Sequence, residues 1–303
     1  MHVYSGGSIL KLIMYGEMFE EQPGLLFKDK VYPLSIEKFD YAKSIEMILS
    51  DGLLEDISDW VEEGMPGSKP LQLKNCRIGP PVTGINKIIA VGLNYRKHAE
   101  EMGDKLPANP LLFCKASTTI SGPYDDIVLP PVTWSDAVDY EVELGVIIGT
   151  VCQDVSVEDA LAYVAGYTVV NDLTARDVQK SESQWFRAKS YDGFCPVGPC
   201  IITKDELDNV QDLRLTSTVN GEIRQDSNTS DMIFSVAEII SFISKGMTLM
   251  PGDLIATGTP SGIGAGFKPP KFLKQGDVVE LTVENVGVHK YKVFSHEDYT
   301  DGE

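Results

Sequence analysis

From Lys87 onward, short β-branched and apolar runs alternate with turn residues, and few segments have the apolar period of a helix. The Asn-Gly pair of "VNGEIR" (219–224) predicts a hairpin, and "PGDLI" and "QGDVV" each place a Gly-Asp turn before a strand. We predict strands at 88–92, 110–115, 127–129, 140–149, 163–171, 200–203, 213–219, 221–224, 253–257 and 277–284. We predict helices at 157–164, where Ser156 opens a capping-box-like turn, at 177–182 and at 235–245. This pattern favours a mainly β fold, a roll or barrel with peripheral helices.

The first 75 residues differ in texture from the rest. Strands are predicted at 8–14 and 24–34, and an acidic helical stretch at 35–63 ends near the breakers Gly64 and Pro66. A segment rich in Gly and Pro follows. We therefore predict a small N-terminal α+β domain at 1–75, a linker at 76–86 and a main domain at 87–303.

Charge and composition restrict the function classes. The formal net charge is −19 and no basic stripe occurs, which argues against nucleic acid as a partner. No run approaches the roughly 18 apolar residues of a membrane helix, and the first residues lack the pattern of a secretion signal, so we expect a cytoplasmic protein. The five cysteines and four histidines show neither redox nor zinc-ligand spacing. An anionic substrate of so acidic a chain needs local positive charge, from a metal ion or from particular Lys and Arg residues.

Two carboxylates interrupt a run that otherwise looks buried. In "DYEVELGVIIG" (139–149), Glu141 and Glu143 are alternate residues of a predicted strand, so they project from one face, roughly 6.6 Å apart. Two ionised carboxylates this close and away from water repel each other and are costly to desolvate. An arginine could lie between them, but a hard divalent cation suits an all-oxygen pair better. Taken alone, the same pattern also fits a polar surface strand.

A third carboxylate and a lysine strengthen the metal interpretation. Asp172 follows the β-branched strand of "GYTVVND", at a strand end where binding residues often cluster, although Asp is also a common cap for a helix starting in "TARD". Lys189, in "FRAKSYDGF", is flanked by apolar and small residues instead of other charges. One divalent ion and one lysine would match the three negative charges of Glu141, Glu143 and Asp172.

A helix is predicted to begin near Asn94 or Tyr95 in "VGLNYRKHAEEMG", which places His98 and Glu101 on one face. One interpretation is a solvent-exposed ion pair. The other is a dyad in which the carboxylate orients the imidazole and the imidazole takes a proton from water. The polar, breaker-rich segment "GDKLPANP" that follows fits a mobile lid.

Six segments together resemble one known family. They are "VGLNYRKHAEE", "DYEVELGVIIG", "AGYTVVNDLTARDVQ", "AKSYDGFCPVGP", "VNGEIRQ" with "MIFSVAEIISFIS", and "PGDLIATGTPSGIG". In this order they closely resemble the fumarylacetoacetate hydrolase superfamily over about residues 85–290. The resemblance implies a mixed β-roll domain, a homodimer, and one Mg²⁺ or Mn²⁺ per subunit.

The resemblance also implies roles for particular residues. It places the metal on Glu141, Glu143 and Asp172, the active-site lysine at Lys189, and the lid dyad at His98 and Glu101. Gln179 matches the family's glutamine after the A-R-D element, and Thr259 of the T-G-T-P turn looks like the group that binds the substrate carboxylate. Arg176 and Asp177 match family positions to which we assign supporting roles. We predict that Trp185 and Arg187, in "SESQWFR" (181–187), line the outer end of the pocket and select the distal group of the substrate.

The predicted activity follows from this resemblance. It is Mg²⁺- or Mn²⁺-dependent cleavage of the C3–C4 bond of a small anionic 2-oxo acid, by acylpyruvate hydrolysis or oxaloacetate decarboxylation, through an enolate. An isomerase, tautomerase or hydratase at the same site is the alternative. A non-catalytic binding module is disfavoured because no acidic ligand and no active-site lysine is lost. The short N-terminal region resembles that of bacterial isomerase/hydratase members, so we do not expect fumarylacetoacetate itself as the substrate.

Overall fold

The computed structural model describes residues 10–36, 38–103 and 105–300. Its strands are β1 (Lys11–Tyr15), β2 (Gln22–Phe27), β3 (Lys30–Pro33), β4 (Leu71–Gln72), β5 (Ile78–Gly79), β6 (Ile88–Gly92), β7 (Leu111–Lys115), β8 (Ile120–Ser121), β9 (Ile127–Val128), β10 (Val138–Asp139), β11 (Val142–Ile148), β12 (Val164–Asn171), β13 (Thr174–Ala175), β14 (Cys195–Thr203), β15 (Arg214–Val219), β16 (Glu222–Asn228), β17 (Leu254–Ala256), β18 (Val278–Val283) and β19 (Gly287–Phe294).

The helices are short and lie around the sheets. They are α1 (Ile45–Ser50), α2 (Leu54–Glu62), α3 (Arg96–Met102), α4 (Arg176–Ser181), α5 (Val236–Ser244) and α6 (His296–Thr300). Helix α5, predicted at 235–245 from its apolar period, begins with a complete capping box between Ser235 and Glu238. Among the residues described, no helix has the length and apolar character needed to cross a membrane.

The main sheet has the strand order β4-β3-β2-β1-β14-β12-β11-β17-β6-β7, with β5 beside β1 and β8 beside β14. Strands β11, β12 and β14 form its centre and are buried along their whole length. Burial along the whole strand shows that both faces of these strands are covered. Among the residues described, the strand order does not close on itself, so these strands form the predicted roll and not a closed barrel.

A second sheet, β16-β15-β18-β19-β9, packs against the centre of the main sheet. In β15 and β18 buried residues alternate with more exposed ones, so one face of this sheet meets β11 and the other faces outward. A two-stranded ribbon of β10 and β13 pairs Asp139 with Thr174. The predicted mainly β α+β fold with peripheral helices is therefore confirmed.

The N-terminal strands extend the main sheet. β1 pairs with β14 through Lys11 and Leu12. Helices α1 and α2 bury apolar residues such as Ile48 and Trp60 in the hydrophobic cluster that also contains Leu12 of β1. The strand predicted at 24–34 is a hairpin of β2 and β3, and the helix predicted at 35–63 is two helices. Residues 8 and 9 of the predicted first strand lie outside the described residues. The division into two domains and a linker remains a prediction.

Two other element predictions were wrong. The helix predicted at 157–164 is a local Ser156–Asp159 turn and a 3-10 turn at Ala160–Tyr163, because the β-branched residues from Val164 onward enter the sheet as β12. Strand β19 was not predicted, although its buried positions alternate as Val-His-Lys-Tyr-Lys-Val would suggest.

Candidate active site

The candidate site lies where β17 diverges from β11. Backbone pairing between these strands ends at Gly145 and Ala256. Past this pair, the Thr257 N–H and Oγ1 both donate to Leu144 O (3.2 and 2.8 Å). Further along, Thr259 Oγ1 donates to Val142 O (2.9 Å). A cavity of about 230 Å³ opens beside this end of β11.

Three carboxylates line this cavity. Glu141, Glu143 and Asp172 are buried, and one oxygen from each lies within 4.8 Å of the others. The register of the central strands causes this, because Val142 pairs with Asn171 and the Asp172 N–H donates to Glu141 O (3.0 Å). The surface-strand interpretation is therefore wrong. So is the helix-cap interpretation of Asp172, because α4 begins only at Arg176 and Ala175 stands at its N-cap.

Three cationic side chains hold two of these carboxylates. Lys189 Nζ donates to Glu141 Oε2 (2.6 Å) and to Asp172 Oδ2. Arg176 Nη2 donates to Glu141 Oε1 (2.6 Å), so the residue given a supporting role touches a candidate ligand directly. Lys115 Nζ donates to the other oxygen of Asp172 (2.6 Å) and is fully buried. The sequence analysis missed Lys115; its signal was a single lysine ending the apolar run "LLFCK".

The pKa values of the two glutamates diverge. Burial raises the pKa of Glu141, but Lys189 and Arg176 outweigh it and hold that pKa well below its usual range. Burial, together with the neighbouring Asp172 and Glu141, raises the pKa of Glu143 well above its usual range. Glu143 is thus the member of the group whose ionised form is least compensated by neighbouring cations.

A hard divalent cation fits these residues. The donor set is entirely carboxylate oxygen, which Mg²⁺ and Mn²⁺ accept. A cation would also relieve the repulsion that raises the pKa of Glu143. Asp139 adds a fourth buried carboxylate, held by Arg176 Nε (2.9 Å), so the buried carboxylates of this group outnumber the buried cationic side chains of Arg176, Lys189 and Lys115 by one.

His98 and Glu101 lie on α3 at the cavity. His98 is buried and lines the cavity, which rules out the exposed-pair interpretation. His98 Nδ1 lies 3.5 Å from Glu101 Oε2 and has no hydrogen-bond partner among the described residues. Glu101 instead accepts from the Gly262 N–H (3.1 Å), in space left open because Gly266 has no side chain. Asp104, in the predicted lid, lies outside the described residues.

The predicted substrate contacts divide into those at the cavity and one away from it. Gln179 lines the cavity and accepts from Arg176 Nη1 (3.1 Å). Trp185 also lines it and stands edge-on to Phe113, with ring centroids 5.4 Å apart. The structure does not bring Arg187 to the cavity; it is exposed and pairs with Glu182.

Apolar side chains form the outer wall of the cavity. Trp185 fits there because Gly92 has no side chain. A Cβ at Gly92 would lie 2.7 Å from the Trp185 ring. The wall comprises Val91, Leu93, Met102, Phe113, Trp185 and Ile263. Lys189 Nζ lies 5.0 Å from the centroid of the Phe113 ring, so this apolar wall borders the charged groups directly.

Thr259 lines the cavity, but its hydroxyl is already committed. It donates to Val142 O and accepts from Gln225 Nε2 (2.7 Å). Since the hydroxyl has one hydrogen, in this arrangement it can only accept from a substrate. The sequence analysis missed Gln225, whose signal was a polar residue in a strand, in "VNGEIRQ".

Comparison with known proteins shows the family of this chain. Residues 87–294 match the family model described as fumarylacetoacetate (FAA) hydrolase C-terminal. The chain belongs to this family. It is 42% identical to the 2,4-didehydro-3-deoxy-L-rhamnonate hydrolase of Sphingomonas sp. (strain SKA58), over 94% of this chain and 96% of that protein. It is 46% identical to the oxaloacetate tautomerase YisK of Bacillus subtilis (strain 168), over 73% of this chain and 74% of that protein.

A solved structure extends the comparison. The maleylpyruvate hydrolase of Sphingobium sp. SYK-6, in complex with manganese(II) ion and pyruvate, superposes with a TM-score of 0.77 at 29% identity. The match covers 94% of this chain and 99% of that one. These family members are enzymes by name: two hydrolases and one tautomerase.

Proposed function

We propose that this protein is a Mg²⁺- or Mn²⁺-dependent enzyme that cleaves the C3–C4 bond of small 2-oxo acids, with hydrolysis of acylpyruvates as the leading reaction. The observation that carries this proposal is the buried group of Glu141, Glu143 and Asp172 beside Lys189, facing a cavity that His98 also lines. A relative that matches almost the whole chain is a hydrolase, which supports hydrolysis over decarboxylation. The manganese of the maleylpyruvate hydrolase supports the choice of metal.

The three carboxylates would hold the metal. When bound, the metal supplies a Lewis acid that stabilises negative charge on the 2-oxo oxygen. Lys189 adds a positive charge beside the same place, because Asp172 and Glu141 outweigh burial and raise the pKa of its ammonium group. Arg176 and Lys115 orient Glu141 and Asp172.

His98 moves the protons. Its Nδ1 is 3.5 Å from Glu101 Oε2, and a small approach would complete the hydrogen bond that orients the ring. His98 takes a proton from a water whose oxygen adds to C4. The C3–C4 bond then breaks, its electron pair forms the enolate, and protonation at C3 gives pyruvate and a carboxylic acid.

Keto–enol tautomerisation of a 2-oxo acid is the second candidate. It is favoured by the relative that is an oxaloacetate tautomerase and by the incomplete hydrogen bond between His98 and Glu101. This reaction needs only the transfer of a proton between C3 and the 2-oxo oxygen, with no attacking water.

One assay tests both candidates. The purified protein is incubated with Mn²⁺ or with EDTA and offered acylpyruvates, both tautomers of oxaloacetate, and 2-oxo-3-deoxy sugar acids. Pyruvate released from an acylpyruvate with Mn²⁺ but not with EDTA supports hydrolysis. Interconversion of oxaloacetate tautomers without pyruvate supports the second candidate, and no metal-dependent reaction with any substrate overturns both.

A further inference from the structure

We propose that Gln225 is a positioning residue, which fixes the geometry of the candidate metal centre from the second sheet. The inference rests on the proposed function. Gln225 lies in β16, outside the main sheet, and its side chain is fully buried. It is not among the cavity-lining residues, so its effect passes through the groups that it holds.

The side-chain amide of Gln225 uses its full hydrogen-bonding capacity. Nε2 donates to Thr259 Oγ1 (2.7 Å) and to Pro260 O (2.9 Å). Oε1 accepts from the Val142 N–H (3.1 Å) and from Ser217 Oγ (2.9 Å). An amide offers two hydrogens and two lone pairs, so all four are satisfied. Three of the four bonds reach the two backbone segments that border the metal centre.

The hydrogen bonds of Gln225 and Thr259 to Val142 take the place of the backbone pairing that a neighbouring strand would provide. Val142 stands between Glu141 and Glu143, beyond the point where β17 stops pairing with β11. Gln225 satisfies the Val142 N–H and Thr259 satisfies the Val142 carbonyl, so two side chains continue the ladder. A buried backbone N–H or C=O without a partner is rare because it is costly, so these bonds define where this end of β11 lies.

The bonds of Gln225 to Thr259 and Pro260 fix the opposite side of the metal centre. By holding Thr259 and Pro260, Gln225 fixes the turn after β17, in which the Gly258 N–H donates to Glu143 Oε2 (2.8 Å). Gly258 has a φ of 99°, and a Cβ there would lie 2.8 Å from Asn94 Cβ, so this turn has little freedom to adjust. Gln225 therefore fixes the separation between the E-x-E strand and the turn that orients Glu143.

The test is the affinity of the whole protein for Mn²⁺ alone, measured by titration calorimetry on wild type, Gln225→Met and the matched control Ser217→Ala. Met keeps the volume but leaves Val142 and Thr259 without their partner. Loss of a residue that orients metal ligands typically costs about 10–100-fold in metal affinity, and we expect this rise in Kd for Gln225→Met. Ser217→Ala removes a bond to the same amide that does not reach the centre, so its Kd should equal that of wild type.

A second pair of variants decides the matter if Gln225→Met does not fold. Thr259→Val removes the hydroxyl that Gln225 holds, whereas Thr259→Ser keeps it. We expect weaker Mn²⁺ binding only for Thr259→Val. Equal Mn²⁺ affinity in Thr259→Val and Thr259→Ser overturns the inference, as does a folded Gln225→Met with wild-type Kd or a Ser217→Ala that binds as weakly as Gln225→Met.

The experiment separates this inference from the proposed function. Wild-type protein that does not bind Mn²⁺ overturns the metal-dependent function, and the inference falls with it. Wild-type protein that binds Mn²⁺, beside variants that bind it equally well, overturns the inference alone. A purely structural role would lower thermal stability in Gln225→Met without changing the Mn²⁺ affinity of the folded molecules.

Discussion

Among the residues of the candidate centre, Asp172 and Glu143 differ most in how far their charge is compensated. Asp172 is held by Lys115 on one oxygen and by Lys189 on the other. Glu143 accepts a hydrogen bond from the Gly258 N–H, and burial together with the neighbouring carboxylates raises its pKa. Amide substitutions at these two positions should therefore change the stability of the metal-free protein in different ways.

We expect Asp172→Asn to lower the free energy of unfolding by about 3–5 kcal/mol in EDTA, because the buried ammonium group of Lys115 loses its charged partner and that of Lys189 keeps only Glu141. We expect Glu143→Gln to leave it unchanged or raise it, because the substitution removes a repelled charge and keeps an acceptor for Gly258. Urea unfolding of wild type and both variants in EDTA measures the difference. Equal losses of stability in the two variants would contradict this account of the charges.

Mn²⁺ binding gives the complementary result at the same two positions. Both variants lose a candidate ligand, so both should bind Mn²⁺ more weakly than wild type and lose metal-dependent turnover. Glu143→Gln should bind Mn²⁺ more weakly and lose metal-dependent turnover while it remains fully folded. A folded Glu143→Gln protein with wild-type Mn²⁺ affinity and turnover would exclude Glu143 as a ligand.

At the scale of elements, α3 connects the cavity to the loop after β17. Leu93 has a φ of 53°, a left-handed conformation uncommon for a leucine, and it turns the chain from β6 toward α3. At the other end of α3, Glu101 accepts from the Gly262 N–H. Glu101 thus has two candidate roles, to tether the helix and to orient His98.

Two substitutions of Glu101 distinguish these roles. Glu101→Gln keeps an acceptor for Gly262 but removes the charge that would stabilise a protonated His98, whereas Glu101→Ala removes both. If Glu101 orients the imidazole, both variants should lose about 10²–10⁴-fold in kcat for acylpyruvate hydrolysis, the usual contribution of a positioned acid or base. Wild-type kcat in Glu101→Gln, with loss only in Glu101→Ala, would leave Glu101 a tether.

The elements show which features the sequence can predict. The longer strands β6, β11, β12, β15 and β18 were predicted near their observed bounds because their β-branched content is a local signal. The two-residue strands β8, β10 and β13 were missed because nothing but their tertiary pairing defines them.

The same distinction applies to the site. Glu141, Glu143 and Asp172 could be found from spacing and strand ends. Lys115 and Gln225 contact partners 57 and 83 residues away in sequence, and only the assembled sheets show those contacts.

At the scale of the whole molecule, the second sheet packs on the main sheet, and buried polar contacts join the two. Gln225 of β16 is one such contact, and His289 of β19 is another. His289 is fully buried, and its Nε2 lies 2.9 Å from Gly198 O of β14. Burial lowers the pKa of His289 to about 4, and the hydrogen bond with Gly198 offsets this only in part.

The packing of the two sheets should therefore weaken in acid. In the unfolded chain His289 has a pKa of about 6.5, so between pH 6.5 and 4 the unfolded state binds more protons than the folded state, and stability falls as the pH falls. From pH 7.5 to pH 5 this one group should reduce the free energy of unfolding by about 2 kcal/mol.

His289→Gln can still donate to Gly198 O and does not titrate. Urea unfolding in EDTA at pH 7.5 and pH 5 measures the loss of unfolding free energy in each protein. This loss should be about 2 kcal/mol smaller in His289→Gln than in wild type, since other groups contribute equally to both proteins. Equal losses in wild type and variant would mean that His289 is accessible to protons in the folded protein, and that the junction of the two sheets opens.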